Sequence, residues 1–463
     1  MTSIPRSHSA DHVPLAPKRK RSALVAFLLL FLVAGLLWLL VQLASRQGMF
    51  AYLILEVLSA LVGLGAIGML VVHLVRQKAV RDVMTQRGIY VPMILLVVAG
   101  ITGLISTKTY APGFAMPAFM HSHAPGGLPP SLPLQNMLSF FQHLNQFERV
   151  ADISADPSVV PSEPQTPGAD GIVRLHLKAQ EVIAELAPGV YQYYLTFNKQ
   201  VPGPMLRVRE GDTVELTLEN DKSSLHEHSI DLHAVNGPGG GSAAMQVAPG
   251  ETKTFRFKAL NPGLYIYHCA VPNVSTHSSH GQYGLIMVDP QNPEAALPKV
   301  DKEFYIVQGE FYTAGEIGRR GLTRFDSEAL VDGTPNYVVF NGKIEGPPRM
   351  KAAVGDRIRL YVGNGGVNLI SSLHVIGEIF GKVYPEAAIG EGSPVLRNVQ
   401  TTAVLPGGAA IVEFTAVVPG KYLLVDHALA RMNKGAWAVL EVTGRQSPEI
   451  FSTASQGAEA HLQ

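Results

Sequence analysis

Pro262-Gly-Leu-Tyr-Ile-Tyr-His-Cys269 and Pro419-Gly-Lys-Tyr-Leu-Leu-Val-Asp-His427 are two versions of one pattern. In each, a Pro-Gly turn opens a run of apolar and aromatic residues that ends on a histidine. The match extends upstream. Val247-Ala-Pro-Gly250 and Phe255 precede the first copy as Val404-Leu-Pro-Gly407 and Phe414 precede the second. Earlier still, Phe197-Asn, Val201-Pro-Gly-Pro, Val208 and Gly211-Asp recur as Phe340-Asn-Gly, Gly346-Pro-Pro, Val354 and Gly355-Asp356. Alternating runs such as Thr213-Val-Glu-Leu-Thr-Leu218 and Thr254-Phe-Arg-Phe257 lie between Pro/Gly turns. Alternation of this kind buries one face of a strand. Regularly spaced turns predict all-β sandwiches of short antiparallel strands. The repeat predicts two of them, at 170–292 and 293–444, with a polar tail at 445–463.

The first 110 residues have a different texture. A basic segment at 1–21 precedes three apolar stretches within 22–107: Ser22–Ser45, Ala51–Val75 and Gly88–Thr107. Each approaches the ~20 residues that cross a bilayer as a helix. Lys18-Arg-Lys-Arg21 precedes the first stretch, and Arg76, Lys78, Arg81 and Arg87 separate the second from the third. The short turn at 46–50 holds only Arg46. The positive-inside rule then puts the N-terminus in the cytoplasm and everything after the third span outside. A cleaved signal peptide is the competing reading of the first span. No small-x-small cleavage site supports it, and two further spans follow. Glu56 and His73 are the ionisable groups of the second span, and such groups are often functional.

A Pro-rich connector at 108–169 carries a helical stripe between Ser131 and Val150: Leu134, Met137, Leu138, Phe141 and Leu144. Packing on the globular part is favoured over an interfacial position. His121 and His123 sit in a Pro/Gly-rich loop without further ligands, so no metal is assigned to them. With 37 basic and 37 acidic residues among 463, the chain has no net charge, and no nucleic-acid partner is expected. One cysteine excludes an internal disulfide.

That cysteine, Cys269, stands in a histidine-rich frame: His228-Ser-Ile-Asp231-Leu-His233, Tyr267-His268-Cys269 and His277-Ser-Ser-His-Gly-Gln282. One thiolate and two imidazoles with a weak axial neighbour form the donor set of a blue-copper site. His233 and His268 are spaced to serve a second metal, which the adjacent pair His268-Cys269 would connect to the first. The second repeat has no cysteine, so it cannot hold a blue copper of its own.

On these motifs the chain resembles the copper-containing nitrite reductases, trimeric enzymes with two Greek-key cupredoxin domains. The likeness covers residues 171–444. It includes Ser372-Leu-His-Val-Ile-Gly-Glu-Ile-Phe380, Pro406-Gly-Gly408 and Leu424-Val-Asp-His427, and the short Cys269–His277 loop of one subgroup. The resemblance implies a type 1 copper on His228, Cys269 and His277. Gln282 stands in the axial place where the family usually has methionine. His280 is a weaker axial candidate, and Met287 falls within a strand. It also implies a type 2 copper on His233 and His268, with His427 from a neighbouring subunit. Asp231 and His374 would be the proton-delivering pair, and Ile376 would cap the metal and shape nitrite binding. His226 is read as a non-ligand. The expected function is a membrane-anchored nitrite reductase forming nitric oxide. Electrons would enter at the type 1 copper and pass through Cys269-His268 to the type 2 copper. The expected location is a bacterial inner membrane, in contact with lipid, with catalytic domains in the periplasm. The donor would be a periplasmic cytochrome c, a cupredoxin, or membrane quinol. A laccase-like multicopper oxidase fits poorly, because the second repeat lacks His-x-His pairs. A non-catalytic copper carrier would not need Asp231, His374 and His427.

Overall fold

The structure is a computed structural model that describes residues 61–68, 94–99, 147–344 and 348–452. The chain divides into two compact units, Met1–Tyr110 and Ala111–Gln463. In the first unit, 61–68 and 94–99 are helical, and Ala99 lies against the backbone of Gly63. Among the described residues no helix is long and apolar enough to cross a membrane. Most of the three expected spans, with Glu56 and His73, lies outside the described residues, as do His121 and His123.

The second unit is mostly β. Its first sandwich pairs a sheet of β2 (Ile172–Ala187), β3 (Val190–Phe197), β5 (Thr213–Asn220) and β7 (Thr252–Lys258) with another. The second sheet holds β4 (Leu206–Arg209), β6 (Asp231–Leu232), β8 (Gly263–His268) and β9 (Tyr283–Asp289). The second sandwich repeats the plan. One sheet holds β10 (Lys302–Phe311), β12 (Tyr337–Phe340), β14 (Arg357–Asn364), β16 (Lys382–Tyr384) and β18 (Ala409–Thr415). The other holds β13 (Arg349–Ala353), β15 (Ser371–Val375), β17 (Thr401–Val404), β19 (Gly420–Asp426) and β20 (Trp437–Thr443). The pairing repeats with the sequence. β2 and β5 run parallel, as do β10 and β14; β4 and β9 run parallel, as do β13 and β20. The sheets are therefore mixed where the sequence pattern alone predicted antiparallel pairing. A short strand, β11 (Gly321–Leu322), leaves the second sandwich and pairs with β3 of the first.

The alternation seen in the sequence is the burial pattern of β5, where Val214, Leu216 and Leu218 face inward. β9 and β14 behave differently, being buried along nearly their whole length. Ile286 and Val288 of β9 enter the core of the first sandwich. Tyr283, Leu285 and Met287 face the other way, into a core shared with Tyr305, Val307, Tyr361 and Ile411 of the second sandwich. The two sandwiches are thus joined by a continuous apolar layer, and Met287 is part of it.

The tail end of the expected connector helix is corrected. Glu148–Arg149 forms strand β1, parallel to β2 at Val182–Ile183. The exposed edge of the long strand β2 offers unpaired backbone groups, and Val150 N donates to Ile183 O at 3.0 Å. The rest of the stripe lies outside the described residues.

Close approach of the sandwiches needs a residue without a side chain at Gly365, where a Cβ would stand 2.4 Å from the buried Tyr283 ring. Gly365→Ala should therefore lower stability by about 1–3 kcal/mol through overpacking. Thermal unfolding of the variant beside the parent checks this; an unchanged midpoint would mean that the interface gives way at no cost.

Candidate metal centres

The end of β8 decides where the metal ligands go. Successive side chains on a strand point to opposite faces. His268, the last residue of β8, is partly exposed, whereas Cys269 is fully buried in the core of the first sandwich. Cys269 N donates to Gln282 O at 3.1 Å, which extends the β8–β9 ladder by one pair and sets Gln282 beside the thiol. Between them runs a short helix, α1 (Val274–Ser278), which carries His277.

Around Cys269 the donors converge. Sγ lies 3.3 Å from His277 Nδ1 and 4.0 Å from His228 Nδ1. Gln282 Oε1 lies 3.3 Å from His277 Nδ1. All four residues are buried, and Gln282 Nε2 has no partner. Ser229 N donates to Sγ at 3.4 Å. Burial pushes the Cys269 thiol up, but the charges and hydrogen bonds of His277 and His228 outweigh it and hold it well below the ordinary thiol range. A thiolate, two Nδ1 atoms and an amide oxygen in a closed pocket fit a redox-active copper. His280 is excluded from that set: its Nδ1 bonds Thr276 O at 2.7 Å and its ring packs on Phe325.

The second cluster is Asp231, His233 and His268, with ligand atoms within 4.8 Å of one another. β6 pairs with β8 so that Asp231 stands opposite His268. The two imidazoles meet with Nε2 atoms 3.1 Å apart. Two nitrogens bound at ~2.0–2.1 Å to one ion would have about this separation. His268 Nδ1 is occupied by Cys269 O at 2.8 Å, which leaves Nε2 for a metal. Gly407, from the Pro406-Gly-Gly408 turn of the second sandwich, packs against the His233 ring, where a Cβ would stand 3.3 Å from Cε1. Desolvation on its protein side, then the His268 ring, pulls His233 below the ordinary imidazole value, although its outer edge is exposed. A neutral imidazole is the form that binds metal.

His374 and His427 come together elsewhere on the second sandwich, with ring centroids 5.3 Å apart. β15 and β19 are neighbouring antiparallel strands, which accounts for the pairing. His374 Nδ1 bonds Gln400 O at 2.6 Å, so Nε2 is not used by that contact. Ile376 is exposed nearby on the same chain segment. His427 does not come within 4.8 Å of both His233 and His268 in the one chain. Both His233 and His427 are exposed at the surface.

Three contributors were not read from the sequence. Glu181 of β2 is buried against His226 and His228, at 3.0 and 3.2 Å. Burial pushes its carboxyl up, but those two histidines outweigh it and hold it well below the usual carboxylate range. Asn220, also buried, donates to His226 O and Val247 O at 2.9 Å each and fixes the loop before His228. Gly240 lies under Asp231: a Cβ there would stand 1.8 Å from Oδ1. A Gly-Gly-Gly run at 239–241 was the only available signal for the last. His226 bonds Glu181 and lies outside the Cys269 donor set.

A family model described as multicopper oxidase matches residues 178–293. The chain is 53% identical over 284 residues to a copper-containing nitrite reductase of Neisseria gonorrhoeae, covering 60% of this chain and 71% of that protein. It is 33% identical to a copper-containing nitrite reductase of Alcaligenes faecalis, covering 57% and 74%. Among solved structures it is similar to the copper nitrite reductase from Nitrosomonas europaea at pH 8.5. There the TM-score is 0.53 and the identity 35%, covering 60% of this chain and 96% of that one.

Gly240→Ala tests the packing under Asp231. The backbone there has φ +57°, and the added methyl also meets Leu232 O at 2.8 Å. Asp231 must move, and with it the carboxylate that stands 4.0 Å from His268 Nε2. Copper titration should show weaker binding at the His233–His268 site, with the visible absorption of the Cys269 site retained. Equal weakening at both sites would point to general disruption instead.

Proposed function

The chain belongs to the copper-containing nitrite reductase family, and on that footing we propose that it reduces nitrite to nitric oxide and water with one electron and two protons. The observation that carries this reading is one peptide bond. It joins a closed donor set around Cys269 to an open pair of imidazoles at His233 and His268. Bound copper would supply one-electron chemistry at His228, Cys269, His277 and Gln282, and an open acceptor position at His233, His268 and His427.

The remaining roles belong to the chain's own side chains. Asp231 lies with Oδ2 4.0 Å from His268 Nε2 and is partly exposed, so it can hold a proton beside bound substrate and give it up. His374 is fixed through Nδ1, which leaves Nε2 to pass the second proton. Ile376, apolar and exposed, would cap the substrate and exclude water. Positioned acids of this kind contribute about 10²–10⁴-fold to rate.

We also assign the active site to a subunit interface. His427 is exposed on one side, and the outer edge of His233 is exposed on the other. A homotrimer in which each His427 reaches a neighbour's His233–His268 pair would complete three sites. The domain limits 170–292 and 293–444 follow the two sandwiches in this reading.

The segment 22–107 is proposed as a three-span anchor in a bacterial inner membrane, N-terminus cytoplasmic, catalytic unit periplasmic. The exposed apolar side chains Leu61, Leu64, Ile67 and Val97 support it, since such surfaces suit lipid. Anchoring raises the local concentration near membrane-bound electron donors. The donor would be a cytochrome c or cupredoxin, with quinol the alternative.

Nitric oxide production from nitrite with a reduced dye tests the activity directly. Oxygen uptake on phenols without nitrite turnover would instead mark a laccase-like oxidase. Asp231→Asn should keep both coppers yet lose about 10²–10⁴-fold in turnover; wild-type turnover across pH would remove Asp231 from proton delivery. Inactive His233→Ala and His427→Ala chains, mixed and reassembled, should regain part of the activity, because some hybrid interfaces carry both histidines. No recovery in verified mixed assemblies would place His427 outside the site.

A further inference from the structure

Glu181 is a buried carboxylate that the reaction itself does not use. Its side chain is fully buried, with four hydrogen-bonding groups and the edge of the His228 ring around it. His226 Nδ1 and His228 Nε2 lie 3.0 and 3.2 Å from Oε1. The backbone N–H groups of His226 and Leu225 donate at 2.8 and 2.7 Å. The Tyr193 hydroxyl donates to Oε2. Hydrogen-bonding groups therefore meet both carboxylate oxygens. The His228 contact is off-axis, an electrostatic approach and not a linear hydrogen bond. His228 reaches toward Cys269 with its other nitrogen, Nδ1. The second imidazole of the donor set, His277, has the His226 ring edge-on to it at 5.9 Å. Glu181 therefore touches one ligand directly and the other through a single intervening ring.

We propose that Glu181 is the positioning residue of the Cys269 metal centre, holding His228 with Nδ1 toward the metal and lowering the centre's reduction potential by its charge. The inference rests on the copper reading of that centre. Carboxylates facing the far nitrogen of a ligand histidine orient the ring and raise its basicity. A negative charge in a closed pocket is weakly screened, so it favours the more highly charged oxidised metal. Tyr193 acts in the opposite sense, since its hydroxyl withdraws part of the Glu181 charge.

Two variants of the full-length copper-loaded protein test this, by redox titration of the thiolate–copper absorption. Glu181→Gln keeps the shape and removes the charge. Its electron-sharing equilibrium with a fixed redox partner should move toward the reduced centre by about tenfold or more, and ~59 mV corresponds to each tenfold. Tyr193→Phe unmasks the carboxylate and should move the equilibrium the other way. A merely structural role would shift both variants in one direction. An unmoved Glu181→Gln centre, or shifts of the same sign, overturns the proposal. Should Glu181→Gln fail to fold, Tyr193→Phe decides: a lowered potential supports the role, and an unchanged or raised one overturns it. A parent protein that binds copper without any thiolate–copper absorption would overturn the copper reading of the centre, which is a separate failure.

Discussion

The side-chain alternation at the end of strand β8 is the constraint on which the rest depends. Two consecutive residues cannot face the same way on an extended strand. His268 is directed to the surface beside His233 and Asp231, and Cys269 to the core beside His277 and His228. Two chemically different pockets result, one closed and sulfur-containing, the other open and built from imidazole. They are as close along the chain as two side chains can be. The register Asp231↔His268 and the Cys269–Gln282 pair hold this arrangement from both sides.

The closed pocket is costly to build. It buries a thiol, two imidazoles, an amide and the Glu181 carboxylate, and buried ionisable groups are tolerated only when paired. The pairs here are mutual: Glu181 with His226 and His228, Cys269 with His228 and His277. Ser229 N donates to the sulfur, and Asn220 Nδ2 donates to His226 O and Val247 O. Two sandwiches joined through a shared apolar layer frame the pocket. The open pocket has the contrary character. His233, His427 and Ile376 are exposed, which suits groups that must meet a substrate or another subunit.

Much of this was legible in the sequence because it is local. The alternation of Thr213–Leu218, the Pro-Gly turns and the spacing from Cys269 to His277 and Gln282 depend on a few neighbouring residues. Contacts between distant segments were not legible. Glu181 meets His226 across 45 positions; alternation along β2 puts Glu181 on the inward face with Val173, Leu175 and Leu177, but it does not say what the carboxylate meets there. The packing of Gly240 on Asp231 and of Gly407 on His233 depends on loops whose paths the sequence does not specify. Parallel pairing of β2 with β5 also escaped, because side-chain alternation is the same for parallel and antiparallel neighbours. The helical stripe read between Ser131 and Val150 includes residues 148–149, yet they pair in a sheet along the edge of β2.

Copper titration of the metal-free protein, followed by electron paramagnetic resonance, tests the central claim that His268 and Cys269 serve different centres. The account predicts two distinct copper signals. Cys269→Ser should abolish the thiolate-bound one and keep the other, and His268→Ala should do the reverse. Loss of the same signal in both variants would show that the two residues bind one metal, and the account would be wrong.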